Sequence, residues 1–226
     1  MAIKGLIFDL DGTLLDTLGD IHAAVNHALA CLDMPCRSIG EVKSMIGDGV
    51  AKLIERALPK DALALKGDAL KLFRDYYVGH MRDLSKPYEG IAEMISSLKG
   101  KYAMAVLSNK PDYAVKEIVP AYFGDAFSHA VGGREGIPLK PHPQAVATII
   151  ADWGIEPADI AIIGDGVQDI KTALAVGAMP IGVSWGFSDG QTLIDNGAEY
   201  LCYGVHELKK RLQVLNRQYL SIESDF

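Results

Sequence analysis

Cysteine is scarce in this chain: Cys31, Cys36 and Cys202 are the only three in 226 residues. An odd number excludes a fully paired disulfide framework, and the Cys31–Cys36 spacing fits no usual zinc pattern. Reduced thiols acting as small buried apolar residues are expected instead, in a cytoplasmic protein. A long basic run is also missing. Lys and Arg total 22 against 29 Asp and Glu, a formal charge of −7, so a nucleic-acid partner lacks its electrostatic footprint. No apolar stretch approaches a membrane span, and Met1–Phe8 has neither the length nor the flanks of a secretory signal. Internal repeats and low-complexity segments are absent. What remains is 49% apolar, enough for a sizeable core in one domain or two modest ones.

Short apolar runs supply the strands. Ile3–Phe8 ends abruptly in Asp9, Asp11 and Gly12. Tyr102–Leu107 ends at Ser108 and Asn109, and Ala126–Val131 at Gly132 and Gly133. Ile160–Ile163 ends at Gly164 and Asp165, and Pro180–Val183 follows. Helical patterns at Asp112–Val119, Pro141–Trp153 and Val167–Val176 separate the later runs. This alternation predicts an α/β fold, a parallel sheet doubly wound with helices on both faces.

The first two strands are about 90 residues apart, where one crossover needs a dozen or so plus a helix. The excess reads as helical throughout: Leu18–Leu32, Ile39–Ile46, Val50–Leu58 and Asp61–Met81. Thr17 with Asp20, and Ser38 with Glu41, resemble capping boxes. The expected organisation is therefore an α/β core of residues 1–17 and 84–226 with an inserted helical cap domain, 18–83. Val205–Leu215 reads as a last amphipathic helix, with a loose tail beyond it.

The polar residues gather where the apolar runs stop, and in a doubly wound sheet that is where ligands bind. Asp9 is a carboxylate able to attack phosphorus and hold the group covalently. Asp11 shares its face on an extended strand end, and can give a proton to a leaving oxygen and take one from water. A calcium loop fails, because the EF-hand glycine belongs at loop position 6 and Gly12 falls at position 4. Asp165 opens a helix and Asp169 lies one turn on. Four carboxylates beside a phosphate dianion demand a hard divalent cation, and Mg²⁺ suits such ligands. Lys140 adds positive charge, and its position before Pro141 places it at an expected helix N-terminus. Ser108 and Asn109 could donate to phosphate oxygens, or cap the helix that follows. The six histidines form no ligand spacing.

Four segments carry a resemblance. Asp9-Leu10-Asp11-Gly12-Thr13-Leu14, Ser108-Asn109-Lys110, Lys140-Pro141-His142-Pro143 and Gly164-Asp165-Gly166-Val167-Gln168-Asp169 resemble, in order, the four motifs of haloacid dehalogenase superfamily phosphatases. Ile46-Gly47-Asp48-Gly49-Val50 and Gly132-Gly133 resemble the phosphoglycolate phosphatase group within it. The resemblance implies a Rossmann-like core with a helical cap. It also implies Mg²⁺-dependent hydrolysis of a small phosphorylated metabolite through an aspartyl-phosphate on Asp9. By the same resemblance Asp9 and Asp165 ligate the metal through side chains and Asp11 through its carbonyl. Asp169 then holds the metal waters or Lys140, while Ser108, Asn109 and Lys140 bind phosphate. Two positions depart from the group: Gly166 replaces a hydroxyl residue, and Arg134 stands where Asp is usual. Arg134 could meet a substrate carboxylate or remain a solvated loop residue. A phosphomutase, or a binding protein that has lost the activity, are the alternatives. The oligomeric state is not encoded in these patterns.

Overall fold

The structure is a computed structural model, and it describes residues 3–223, with 217–223 through the backbone alone. Its elements run, in order, β1 Gly5–Phe8, β2 Leu15–Asp16, α1 Leu18–Cys31, α2 Ile39–Met45, α3 Val50–Ala57, α4 Lys66–His80 and β3 Lys86–Pro87. They continue through α5 Ile91–Leu98, β4 Ala103–Pro111, α6 Asp112–Phe123, β5 His129–Gly133, α7 Gln144–Trp153 and β6 Ile160–Gly164. The last are α8 Val167–Val176, β7 Met179–Val183, α9 Gly190–Asp195, β8 Tyr200–Cys202 and α10 Val205–Glu223.

Six strands form one sheet in the order β5-β4-β1-β6-β7-β8, and every pairing is parallel. Because successive strand residues face opposite ways, each central strand feeds two cores. Leu6 and Phe8 pack on one face with Val106 and Ile163; Ile7 packs on the other with Ala105 and Ile162. Burial on both sides explains why these strands are unbroken apolar runs without alternation. The chain leaves β1 to build β4 and β5 on one side, then returns to build β6 on the other. The switch point thus lies at the carboxyl end of β1, between β4 and β6.

The helices α1–α4 form the insert between β2 and β3, and those two strands pair antiparallel, Leu15 with Pro87 and Asp16 with Lys86. The Ser38–Glu41 capping box forms in full. The Thr17–Asp20 box does not, because both side chains are taken elsewhere. The Thr17 hydroxyl donates to Asp11 Oδ1 at 2.7 Å. Asp20 is buried and accepts from the backbone N–H groups of Leu84 and Ser85, at 2.9 and 2.8 Å, and from the Ser85 hydroxyl at 2.6 Å. A buried carboxylate with three donors is satisfied, and here it fastens the entry of the insert to its exit.

Other expectations shift. The strand after Tyr102 runs on through Ser108 and Asn109 to Pro111. α7 begins at Gln144, so Pro141 is not its first residue. The strand β8 and the short helices α5 and α9 were not expected, although α5 carries Ile91, Met94, Ile95 and Leu98 at the spacing of an amphipathic helix. The last helix continues to Glu223 where a loose tail was expected; residues 224–226 lie outside the described residues. Of the cysteines only Cys202 is buried; Cys31 and Cys36 are exposed.

Candidate active site

β1 delivers Asp9 to the switch point one residue past its end, with its N–H bonded to Ile163 O at 2.9 Å. The chain then turns at Gly12, whose φ is +84°. A Cβ there would run into the Asp165 carboxylate, so both the turn and the close approach require glycine. The turn sets Thr13 against Asp165, its hydroxyl donating to Oδ1 at 2.7 Å and accepting from the Asp165 N–H at 3.0 Å. The N–H of Phe187, in the loop after β7, donates to the other oxygen at 2.7 Å.

Lys140 is buried among these groups. Its ammonium donates to Leu107 O at 2.8 Å and to Asp169 Oδ1 at 2.5 Å, and stands 2.9 Å from Asp9 Oδ1. Burial alone would lower its pKa, but Asp169 and Asp9 more than offset this and hold it charged. The position before Pro141 therefore serves Lys140 through two carboxylates and not through a helix N-terminus. Asp169 also accepts from the Gly166 N–H at 3.0 Å.

Lys140 and Asp9 thus form a buried ion pair. Oxygens of Asp9, Asp165 and Asp169 lie within 4.8 Å of one another. Burial pushes the carboxyls of Asp9 and Asp165 up, and the neighbouring carboxylates push both further. Crowded hard oxygens that resist ionisation fit a divalent cation.

The consequence for stability has a definite sign. Raised carboxyl pKa values add stability below the unfolded value near 4, and that stability is lost as pH rises through the folded values. A cation removes the penalty only where the groups would be charged. Mg²⁺ is therefore expected to raise the melting temperature by roughly 5–10 °C at saturation at pH 8. The shift should shrink toward zero at pH 5, and an equal shift at both, by scanning calorimetry, would show that these carboxylates do not hold the ion.

Lys110 had no role in the sequence reading. Its buried ammonium lies 2.9 Å from Asp11 Oδ1 and 4.8 Å from the centroid of the Tyr77 ring on α4. Burial opposes its charge, and Asp11 and Tyr77 restore it. Asp11 Oδ1 thus receives both Lys110 and Thr17. Ser108 borders the same chamber. Asn109 spends its amide otherwise: Nδ2 donates to Gly47 O at 2.8 Å and to Lys140 O at 3.1 Å, and Oδ1 accepts from the Lys140 N–H at 2.8 Å.

The insert roofs the chamber, which encloses about 250 Å³. Gln168 Nε2 donates to Asp48 Oδ1 at 2.6 Å, and Arg56 pairs with the same Asp48. The Gln168–Asp48 and Asn109–Gly47 bonds tie the loop between α2 and α3 to the core. Arg134 is exposed and does not border the chamber.

Buried carboxylates at the switch point of a doubly wound sheet, beneath a helical insert, mark the capped α/β hydrolases. The chain belongs to the haloacid dehalogenase-like hydrolases, matching that family over residues 3–177. It is 33% identical over 191 residues to the phosphoglycolate phosphatase of Haemophilus influenzae strain Rd, covering 80% of this chain and 85% of that one. The phosphoglycolate phosphatase of Pectobacterium atrosepticum is 30% identical over 198 residues, 85% of each chain. A solved structure from Lactobacillus delbrueckii subsp. bulgaricus, assigned as a candidate phosphoglycolate phosphatase, superposes with a TM-score of 0.86. It is 28% identical and covers 94% of this chain and 99% of that one. This protein is accordingly a hydrolase of the phosphatase type, similar to phosphoglycolate phosphatases.

Proposed function

We propose that the protein hydrolyses a small-molecule phosphate monoester through an aspartyl-phosphate on Asp9, with Mg²⁺ as cofactor. The supporting observation is Asp9 itself: a carboxylate at the switch point, 2.9 Å from the Lys140 ammonium and inside an acidic cluster. Asp9, Asp165 and the Asp11 carbonyl would hold Mg²⁺. When bound, the ion supplies charge neutralisation for a phosphate oxygen and for the carboxylates.

Asp9 attacks phosphorus as the ester P–O bond breaks, and Asp11 gives its proton to the departing alkoxide. Its Oδ1 already receives Lys110 and Thr17, so Oδ2 carries that proton. A water then attacks phosphorus, Asp11 takes the water's proton, and Asp9 is released with inorganic phosphate. Lys140 balances charge on Asp9 and the phosphoryl oxygens, and Ser108 donates its hydroxyl to one of them. Asn109 acts as a positioning residue, since its amide holds the Lys140 backbone and the roof.

A roof fastened this close to the nucleophile favours small substrates over a folded phosphoprotein. Among the described residues no helix is long and apolar enough to cross a membrane. The test is phosphate release from a panel of small phosphate esters with Mg²⁺. Chelation should abolish it, and Asp11→Asn should slow it by on the order of 10²–10⁴-fold. Full activity in chelator, or transfer of the phosphoryl group to a sugar in place of water, would refute the reading.

A further inference from the structure

The chamber has two unlike halves. Its floor holds Asp9, Asp11, Lys110, Lys140, Asp165 and Asp169, and its roof is mostly apolar. The insert presents Ile21, Ile46, Val50, Leu53, Phe73 and Tyr77 to the space above Asp9. Phe187 adds an aromatic ring from the core side. Among the described residues that border the chamber, the basic ones are Lys110 and Lys140. Lys140 is already engaged with Asp9 and Asp169, and Lys110 with Asp11. The one charged residue of the insert there is an aspartate, Asp48, bonded to Gln168. The Tyr77 side chain is buried at the edge of the chamber, with the Lys110 ammonium over its ring.

The charge balance is complete before a leaving group is considered. With Asp11 protonated as the acid, Asp9, Asp165 and Asp169 face two ammonium groups and a divalent cation, which leaves a single net positive charge. A phosphate dianion then fills the remaining electrostatic capacity. A further carboxylate under the roof would lie against isoleucine, leucine and phenylalanine, with the Lys110 ammonium beside Tyr77 already paired to Asp11, which is disfavoured.

Resting on the phosphatase reading, we infer that the alcohol carried by the phosphate is uncharged and apolar, a few carbons in size, with one oxygen at most reached by the Tyr77 hydroxyl. Esters bearing a carboxylate on the leaving group, phosphoglycolate among them, are then poor substrates. This separates the chain from the activity named for its relatives while keeping their chemistry.

The experiment compares kcat/KM for phosphoglycolate and isobutyl phosphate, in which two methyl groups replace the carboxylate oxygens at similar shape. Wild type should prefer isobutyl phosphate by at least about tenfold. Val50→Arg and, separately, Ile46→Arg place a cation in the roof, and circular dichroism establishes their folding. Each folded variant should move the ratio at least about tenfold toward phosphoglycolate. Equal or better use of phosphoglycolate by wild type would overturn the inference and leave the phosphatase reading standing. An unmoved ratio in the folded variants would also overturn it. Hydrolysis of neither ester, nor of phenyl phosphate, would instead overturn the phosphatase reading. Should neither variant fold, the wild-type ratio decides.

Discussion

Asp9→Asn is expected to remove turnover, by on the order of 10⁴-fold or more, in a protein that stays folded. The amide cannot attack phosphorus as a carboxylate does, so no phosphoenzyme forms. Stability should move the other way. Burial and neighbouring carboxylates penalise the charged form of Asp9, and a neutral amide escapes that penalty. The metal-free variant should melt at or above the wild-type temperature at pH 8, with a smaller response to Mg²⁺. Acid-quenched labelling with a ³²P ester provides the direct check: wild type should carry label and the variant none. A variant with near-normal kcat would remove the covalent step.

Lys140→Ala should damage both folding and catalysis. The lysine is buried and serves Asp169 and Asp9 together. Removing one partner of a buried pair leaves uncompensated charge, a loss of about 3–5 kcal/mol. Charge balance lost from ground and transition states should raise KM and lower kcat together, with kcat down on the order of 10²-fold or more. Adding Asp169→Asn to Lys140→Ala should recover part of the stability by removing one orphaned carboxylate, while activity stays low. Denaturant melts of the single and double variants separate the two effects. Unchanged kinetics and stability in Lys140→Ala would show that the pairing carries neither.

Some of the site was legible because its residues follow apolar runs. Asp9, Asp11 and Asp165 stand where β1 and β6 stop, and the stretch of a parallel strand that packs on both faces of this sheet is apolar. Asp169 follows from helical spacing. The insert was legible for a related reason: about 90 residues of helical pattern cannot be a single crossover.

Local pattern says nothing of which side chain meets which across the fold. Lys110 looked like the third letter of a short motif, and its partner Asp11 is 99 positions away. Thr13 reads as a turn residue until β6 places Asp165 against it, 152 positions on. Asp20 and Thr17 have the spacing of a cap, yet the return of the chain at Leu84 and Ser85 offered Asp20 buried donors. A buried carboxylate gains more from three donors than a helix end gains from one cap. Gln168 lay within a quoted motif without a role until the roof brought Asp48 to it.

The sequence by itself determined the parallel α/β core, the helical insert and the identity of the candidate carboxylates. Each of these depends on hydrophobic periodicity or on residues adjacent in the chain. Only the tertiary structure decided that Lys140 answers Asp9 and Asp169, that Lys110 answers Asp11, and that an apolar roof faces a charged floor. Those are contacts between segments far apart in sequence, fixed by how the sheet and the insert pack, and a one-dimensional pattern carries no record of them.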